Sequence, residues 1–148
     1  MQYTLSPSGR TLVVTGAVLF LAGILQGAVV DMHANPRMAL SAHLDAVQSG
    51  MAVMLAGLLW SVAGLVGRTE SIARWTLAVG MVGLWLGITL AAVTGAREAL
   101  PMAGEGYGSG PSAEAVVTGT ILISSAAVAL GWALFVAGLL RIIPRSTG

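Results

Sequence analysis

The 148-residue sequence contains no cysteine and no lysine. Without thiols there are no disulfides, no iron–sulfur clusters and no thiolate chemistry. Charge is scarce too: 9 % of residues are charged, and seven arginines against six acids leave a formal net charge of +1. That gives no basic field for nucleic acid. A water-soluble domain of this length needs far more surface charge. What remains is 56 % hydrophobic, with a mean hydropathy of +0.88, which assigns the chain to the integral membrane proteins. Any metal or catalytic work falls to His, Asp, Glu, Ser, Thr, Tyr or the backbone.

Four uncharged runs follow one another: Thr11–Val30 of 20 residues, Ala46–Gly67 of 22, Trp75–Ala96 of 22 and Ala115–Leu140 of 26. Crossing ~30 Å of hydrocarbon takes about 20 helical residues, and none of the runs alternates as a barrel strand does. The expected fold is an all-α integral membrane protein, a four-transmembrane-helix bundle forming one domain over 1–148, with spans about 10–31, 36–66, 72–96 and 113–141. The first run is too long for a signal-peptide core and no clean A-x-A site follows, so it is expected to be retained. Arg10, Arg68, Arg74, Arg141 and Arg145 fall on one side, Arg37 and Arg97 on the other. The positive-inside bias then puts both termini in the cytoplasm of a multi-pass plasma (inner) membrane protein. Glycines such as Gly16, Gly23 and Gly27 mark helix-packing faces, within one subunit or between subunits.

The stretch "ANPRMALSAHLDAVQSGM", Ala34 to Met51, is the polar exception. Asn35-Pro36 is a cap followed by a first-turn proline, so the second helix starts near Pro36 and should run to about Val66. At about 100° per residue, with His43 at zero, Arg37 falls near 120°, Gln48 near 140°, Ser41 near 160°, Asp45 near 200° and Ser49 near 240°. Gly50 and Met54 lie close to His43 instead. The polar stripe needs an interior partner or a wet cavity. His43 needs a different one, and two readings stand: a hydrogen-bonded interfacial histidine, or an axial ligand to a haem lying flat over Gly50 and Met54. With His33 and His43 the only histidines, a bis-histidine cytochrome holding two haems is excluded. Arg37 and Arg97 read as interface anchors or as partners of haem propionates, and Arg97 as a partner for Asp45.

One long loop remains, "GAREALPMAGEGYGSGPSAEA" from Gly95 to Ala115. Its alternating glycines miss the dinucleotide fingerprint, which needs glycine where Ser109 stands and a preceding strand. A flexible outer loop is favoured over a lid.

"NPRMALSAHLDAVQSGM" resembles the hydroxylaminobenzene mutase family of small four-helix membrane proteins, through Asn35, Pro36, Arg37, Leu40, His43, Leu44, Asp45, Gly50 and Met51. "LPMAGEG", Leu100 to Gly106, looks like that family's Pro-x-Ala-Gly segment. More distantly, the chain is similar to the styrene oxide isomerases. That resemblance implies a ferric haem b at the subunit interfaces of a homotrimer, with His43 as its axial ligand and only metal ligand. Ser49 stands where the isomerases have an asparagine near the substrate. Their third-helix aspartate and tyrosine have no counterpart here, where Thr89 and Trp85 are the candidates, and this departure favours the mutase branch.

The expected function is therefore a haem-dependent isomerase turning a small aromatic hydroxylamine into an aminophenol, with ferric iron as Lewis acid. Asp45, Gln48 and Ser49 are the catalytic candidates, and His43, Arg37, Arg97, Gly50 and Met54 the cofactor-binding ones. The expected surroundings are membrane lipid, with no nucleic acid. The alternatives are a haem membrane enzyme acting on another N–O, N–N or epoxide substrate, and a small non-enzymatic membrane protein. Transport is disfavoured, since no inverted repeat or broken span is visible.

Overall fold

Helix starts are written locally. Ser6 accepts a hydrogen bond from the Gly9 N–H ahead of Pro7, and Asn35 accepts one from the Met38 N–H ahead of Pro36. In each case a side chain satisfies an orphan donor and a proline takes a position with no donor to lose. The computed structural model describes residues 4–142, so Arg145 lies outside the described residues. It contains α1 (Pro7–Gly27), α2 (Pro36–Leu58), α3 (Gly67–Thr94) and α4 (Pro111–Ile142), with a single 3-10 turn at Val30–Met32. The chain is all-helical, with no strand among the described residues.

By length and composition α1, α3 and α4 can cross a membrane. Helix α2 is not among these three: it has 23 residues and carries His43, Asp45 and Gln48. It also stops at Leu58, eight residues short of the expected Val66. Trp60, 2 % exposed, stacks on Phe135 with centroids 5.5 Å apart and donates Nε1–H to Glu70 at 3.3 Å. The turns after Leu58 close at Gly64, whose φ of 60° continues no right-handed helix.

The helices form two antiparallel hairpins. In α1–α2 the backbones themselves meet. A Cβ on Gly9 would lie 2.6 Å from the Gly57 carbonyl oxygen, and one on Gly16 2.5 Å from that of Gly50. In α3–α4 glycines face side chains: Gly80 meets Val128 and Ala127, and Gly87 meets Ile121. Small residues allow this approach where lipid supplies no hydrophobic drive. The hairpins join through α2 and α3, where Met38, Ala39 and Ala42 pack with Ile88, Ala91 and Ala92. A second core, with Leu12, Leu19, Val53, Leu77 and Phe135, fills the end that holds the chain termini. Large apolar side chains face outward, among them Val18 at 63 % and Ile123 at 74 % exposure.

Candidate active site

Asn35 is fully buried and makes three connections. Its N–H donates to the Ala92 carbonyl at 2.9 Å, its Nδ2 donates to Ala103 at 3.0 Å, and its Oδ1 caps α2. The residue thus fixes where α2 begins against both α3 and the long loop.

Two turns into α2, His43 Nδ1 lies 2.7 Å from the Gly23 carbonyl oxygen of α1. A carbonyl only accepts, so Nδ1 donates, and in the neutral imidazole the lone pair is then on Nε2. The ring lies on Gly27, where an added Cβ would sit 2.8 Å from Cε1 and Nδ1. The register explains this placement. Gly57, Gly50 and His43 are spaced by seven, as are Gly9, Gly16 and Gly23 opposite them. His43 occupies the next glycine position of this heptad step, and its ring lies along α1 beside Gly27 while Gly23 stays packed on the Val47 backbone.

That register settles what covers the face shared by His43, Gly50 and Met54. Gly50 is buried against α1, with the Gly16 carbonyl and Phe20 backbone 2.7 Å from an added Cβ, and Met54 Cγ packs on Gly16. Within this chain α1, not a flat ligand, lies over Gly50, which makes Gly50 a packing residue.

The polar stripe divides. Ser49 is buried, and its Oγ donates to Asp45 Oδ1 at 3.3 Å. Asp45 Oδ2 is buried with no partner among the described residues, so Arg97 does not hold it as expected. Gln48 is exposed, and Ser41 Oγ bonds back to the Arg37 carbonyl at 3.1 Å. Asp45 sits about 200° around α2 from His43, so one chain does not bring the two groups together.

Arg37 and Arg97 do converge, on the long loop. The Arg37 guanidinium donates to the Glu105 carbonyl and lies 5.8 Å from the Tyr107 ring centroid. Gly104 packs against Arg97 Cα. Glu114, 6 % exposed, accepts the backbone N–H groups of Arg97 and Glu98 at 3.0 Å. The loop expected to be flexible is instead fastened by Asn35, Arg37 and Glu114.

One group escaped the sequence reading. Gln26 of α1, 7 % exposed, accepts from Trp85 Nε1 at 2.7 Å and donates to Thr89 Oγ1 at 3.1 Å. Trp85 and Thr89 were the third-helix candidates; their partner was not. A lone amide inside an apolar span was the available signal. Among the described residues no cluster of three or more His, Cys, Asp or Glu could hold a bare ion. A single imidazole with a free Nε2 suits a metal that arrives with its other ligands, as in haem.

A family model described as styrene oxide isomerase matches residues 8–140. Hydroxylaminobenzene mutase HabA of Ectopseudomonas oleovorans is 39 % identical over 105 residues, covering 70 % of this chain and 78 % of its own. Hydroxylaminobenzene mutase HabB of the same organism is 35 % identical over 120 residues, covering 80 % and 73 %. No solved structure matches the chain.

Proposed function

The chain belongs to the styrene oxide isomerase family and is an intramolecular isomerase, and on that premise we propose that it is a membrane mutase converting an aryl hydroxylamine to an aminophenol with haem b held by His43. One observation carries the cofactor assignment. The Gly23 carbonyl fixes His43 Nδ1 as the protonated nitrogen, the arrangement that orients metal-binding imidazoles and leaves Nε2 to ligate. The substrate class rests on the two mutase relatives. It is favoured over epoxides because α3 contains no Asp, Tyr or Phe and commits Trp85 and Thr89 to Gln26.

The reaction moves one oxygen within the substrate. The N–O bond breaks, a C–O bond forms on the ring, the ring carbon loses a proton and the nitrogen gains one, so nothing is oxidised or reduced overall. When bound, haem supplies Lewis acidity for the N–O cleavage. Asp45, with an oxygen free of protein partners, takes and returns the proton, and Ser49 orients that carboxylate. Gln48 offers its amide to the substrate oxygen. Arg37 and Arg97, both at the long loop, would pair the propionates. The apolar helices shield the cationic ring intermediate from water.

His43 and the polar stripe leave α2 in opposed directions, so we place the haem between copies of a homotrimer, with His43 from one and the exposed Gln48 from its neighbour, Asp45 and Ser49 standing behind Gln48 inside that chain. The exposed Gln48 amide in mid-helix agrees with such a boundary. All four helices span a bacterial inner membrane with both termini cytoplasmic. Arg10, Arg68, Arg74 and Arg141 at the terminal end against Arg37 and Arg97 support that orientation. Spectra of the purified protein and assays with hydroxylaminobenzene and styrene oxide test the reading. His43→Ala is expected to abolish both the Soret band and hydroxylaminobenzene turnover; an unchanged band overturns the haem assignment, and epoxide turnover alone overturns the substrate.

A further inference from the structure

Away from this site, an apolar groove of about 310 Å³ runs between α1 and α3, lined by Thr15 on one side and by Trp75, Val79, Val82 and Leu86 on the other. From Trp75 to Leu86 it follows α3 for ~16 Å at ~1.5 Å per residue, about half the ~30 Å hydrocarbon thickness, the depth of one leaflet. Its floor is apolar and its walls are open: Val79 is 62 % and Trp75 51 % exposed.

The mouth of the groove is cationic. Arg74 lays its guanidinium 5.2 Å from the centroid of the Trp75 ring, itself a wall of the groove. Arg74 Nη1 donates to Ser8 Oγ at 3.1 Å, and its Nε is buried with no partner among the described residues. The nearest acid in sequence, Glu70 one turn earlier, accepts from Trp60 instead. Arg74 also stands beside the start of α1, whose dipole adds positive potential rather than relieving it. A part-buried guanidinium whose one bonded neighbour is a hydroxyl lacks a counter-anion, and a buried cation is costly without one. The positive-inside end of a membrane protein is also where anionic headgroups meet arginine.

We propose that this groove binds one anionic phospholipid, its phosphate on Arg74 and one acyl chain along α3 from Trp75 to Leu86. Charge complementarity selects the head, the leaflet-length apolar trough selects the tail, and the Trp75 indole sits at the level where aromatic rings prefer the interface.

Native mass spectrometry of the detergent-purified oligomer, titrated with phosphatidylglycerol or with phosphatidylcholine of the same chains, tests this. Wild type is expected to retain phosphatidylglycerol over phosphatidylcholine. Arg74→Gln should weaken phosphatidylglycerol about fivefold, the ~1 kcal/mol of one basic residue at an anionic surface, and weaken zwitterionic phosphatidylcholine less, so that the preference between them shrinks. Val79→Trp, which fills the trough from an exposed position, should weaken both lipids without touching Arg74. Equal retention of the two lipids, an unaltered phosphatidylglycerol affinity in Arg74→Gln, or displacement of phosphatidylglycerol by inorganic phosphate alone each overturns the proposal. So does a change of oligomer mass in Val79→Trp with lipid binding intact, which would assign the groove to a second copy. The readout does not depend on haem or turnover.

Discussion

The two hairpins use glycine to opposite ends. In α1–α2, backbone lies on backbone, and the Cβ atoms missing at Gly9, Gly16, Gly50 and Gly57 would each strike main-chain atoms. In α3–α4, Gly80 and Gly87 meet the side chains of Val128 and Ile121 first or equally, with the Val128 amide nitrogen also 3.0 Å from a Cβ at Gly80. The first hairpin carries His43 and the half-buried carboxylate of Asp45. The second keeps its buried carboxylate, Glu114, for tying down the α3–α4 loop.

The comparison breaks most readily at Gly50. Gly50→Ala drives a methyl into the Gly16 carbonyl and the Phe20 backbone, and overpacking of this kind costs about 1–3 kcal/mol. Denaturant unfolding in detergent micelles should show that loss, and a wild-type midpoint would mean the α1–α2 contact is as compliant as α3–α4. His43→Ala should matter less to stability, by ~1 kcal/mol for one hydrogen bond, because the position is a glycine site of the heptad step; a large drop in the same titration would make the imidazole a structural pillar. The smallest effect, of opposite sign, belongs to Gly119 of α4, where nothing lies within 4 Å of an added Cβ. Gly119→Ala should raise stability by roughly 0.5–1 kcal/mol, the helical cost of glycine. A loss of stability or of oligomer there would show that a neighbouring copy covers the position.

Much of this was legible. Long uncharged runs announce helices because each must satisfy its backbone internally, and the seven-residue step from His43 to Gly50 put them on one face. What fills that face was not legible, since it depends on the pairing of α1 with α2 through Gly16 and Gly23, far away in sequence. The end of α2 was hidden for a similar reason: the run through Gly67 stays uncharged, and the turn is set by Trp60 meeting Glu70 and Phe135. Gln26 went unread because its meaning lies in Trp85 and Thr89, on another helix. The glycine-rich loop read as loose because its ties come from Asn35, Arg37 and Glu114, all outside its glycines.

The acceptor that orients His43 is a main-chain carbonyl, that of Gly23. A carboxylate in that role could be lost by a single codon change; a peptide group is present whatever residue is encoded. Heredity can therefore disturb the orientation only indirectly, by adding bulk at Gly23 or Gly27 and prising the helices apart. Substitutions elsewhere in the bundle leave that hydrogen bond in place, so the imidazole keeps its orientation while the side chains around it vary.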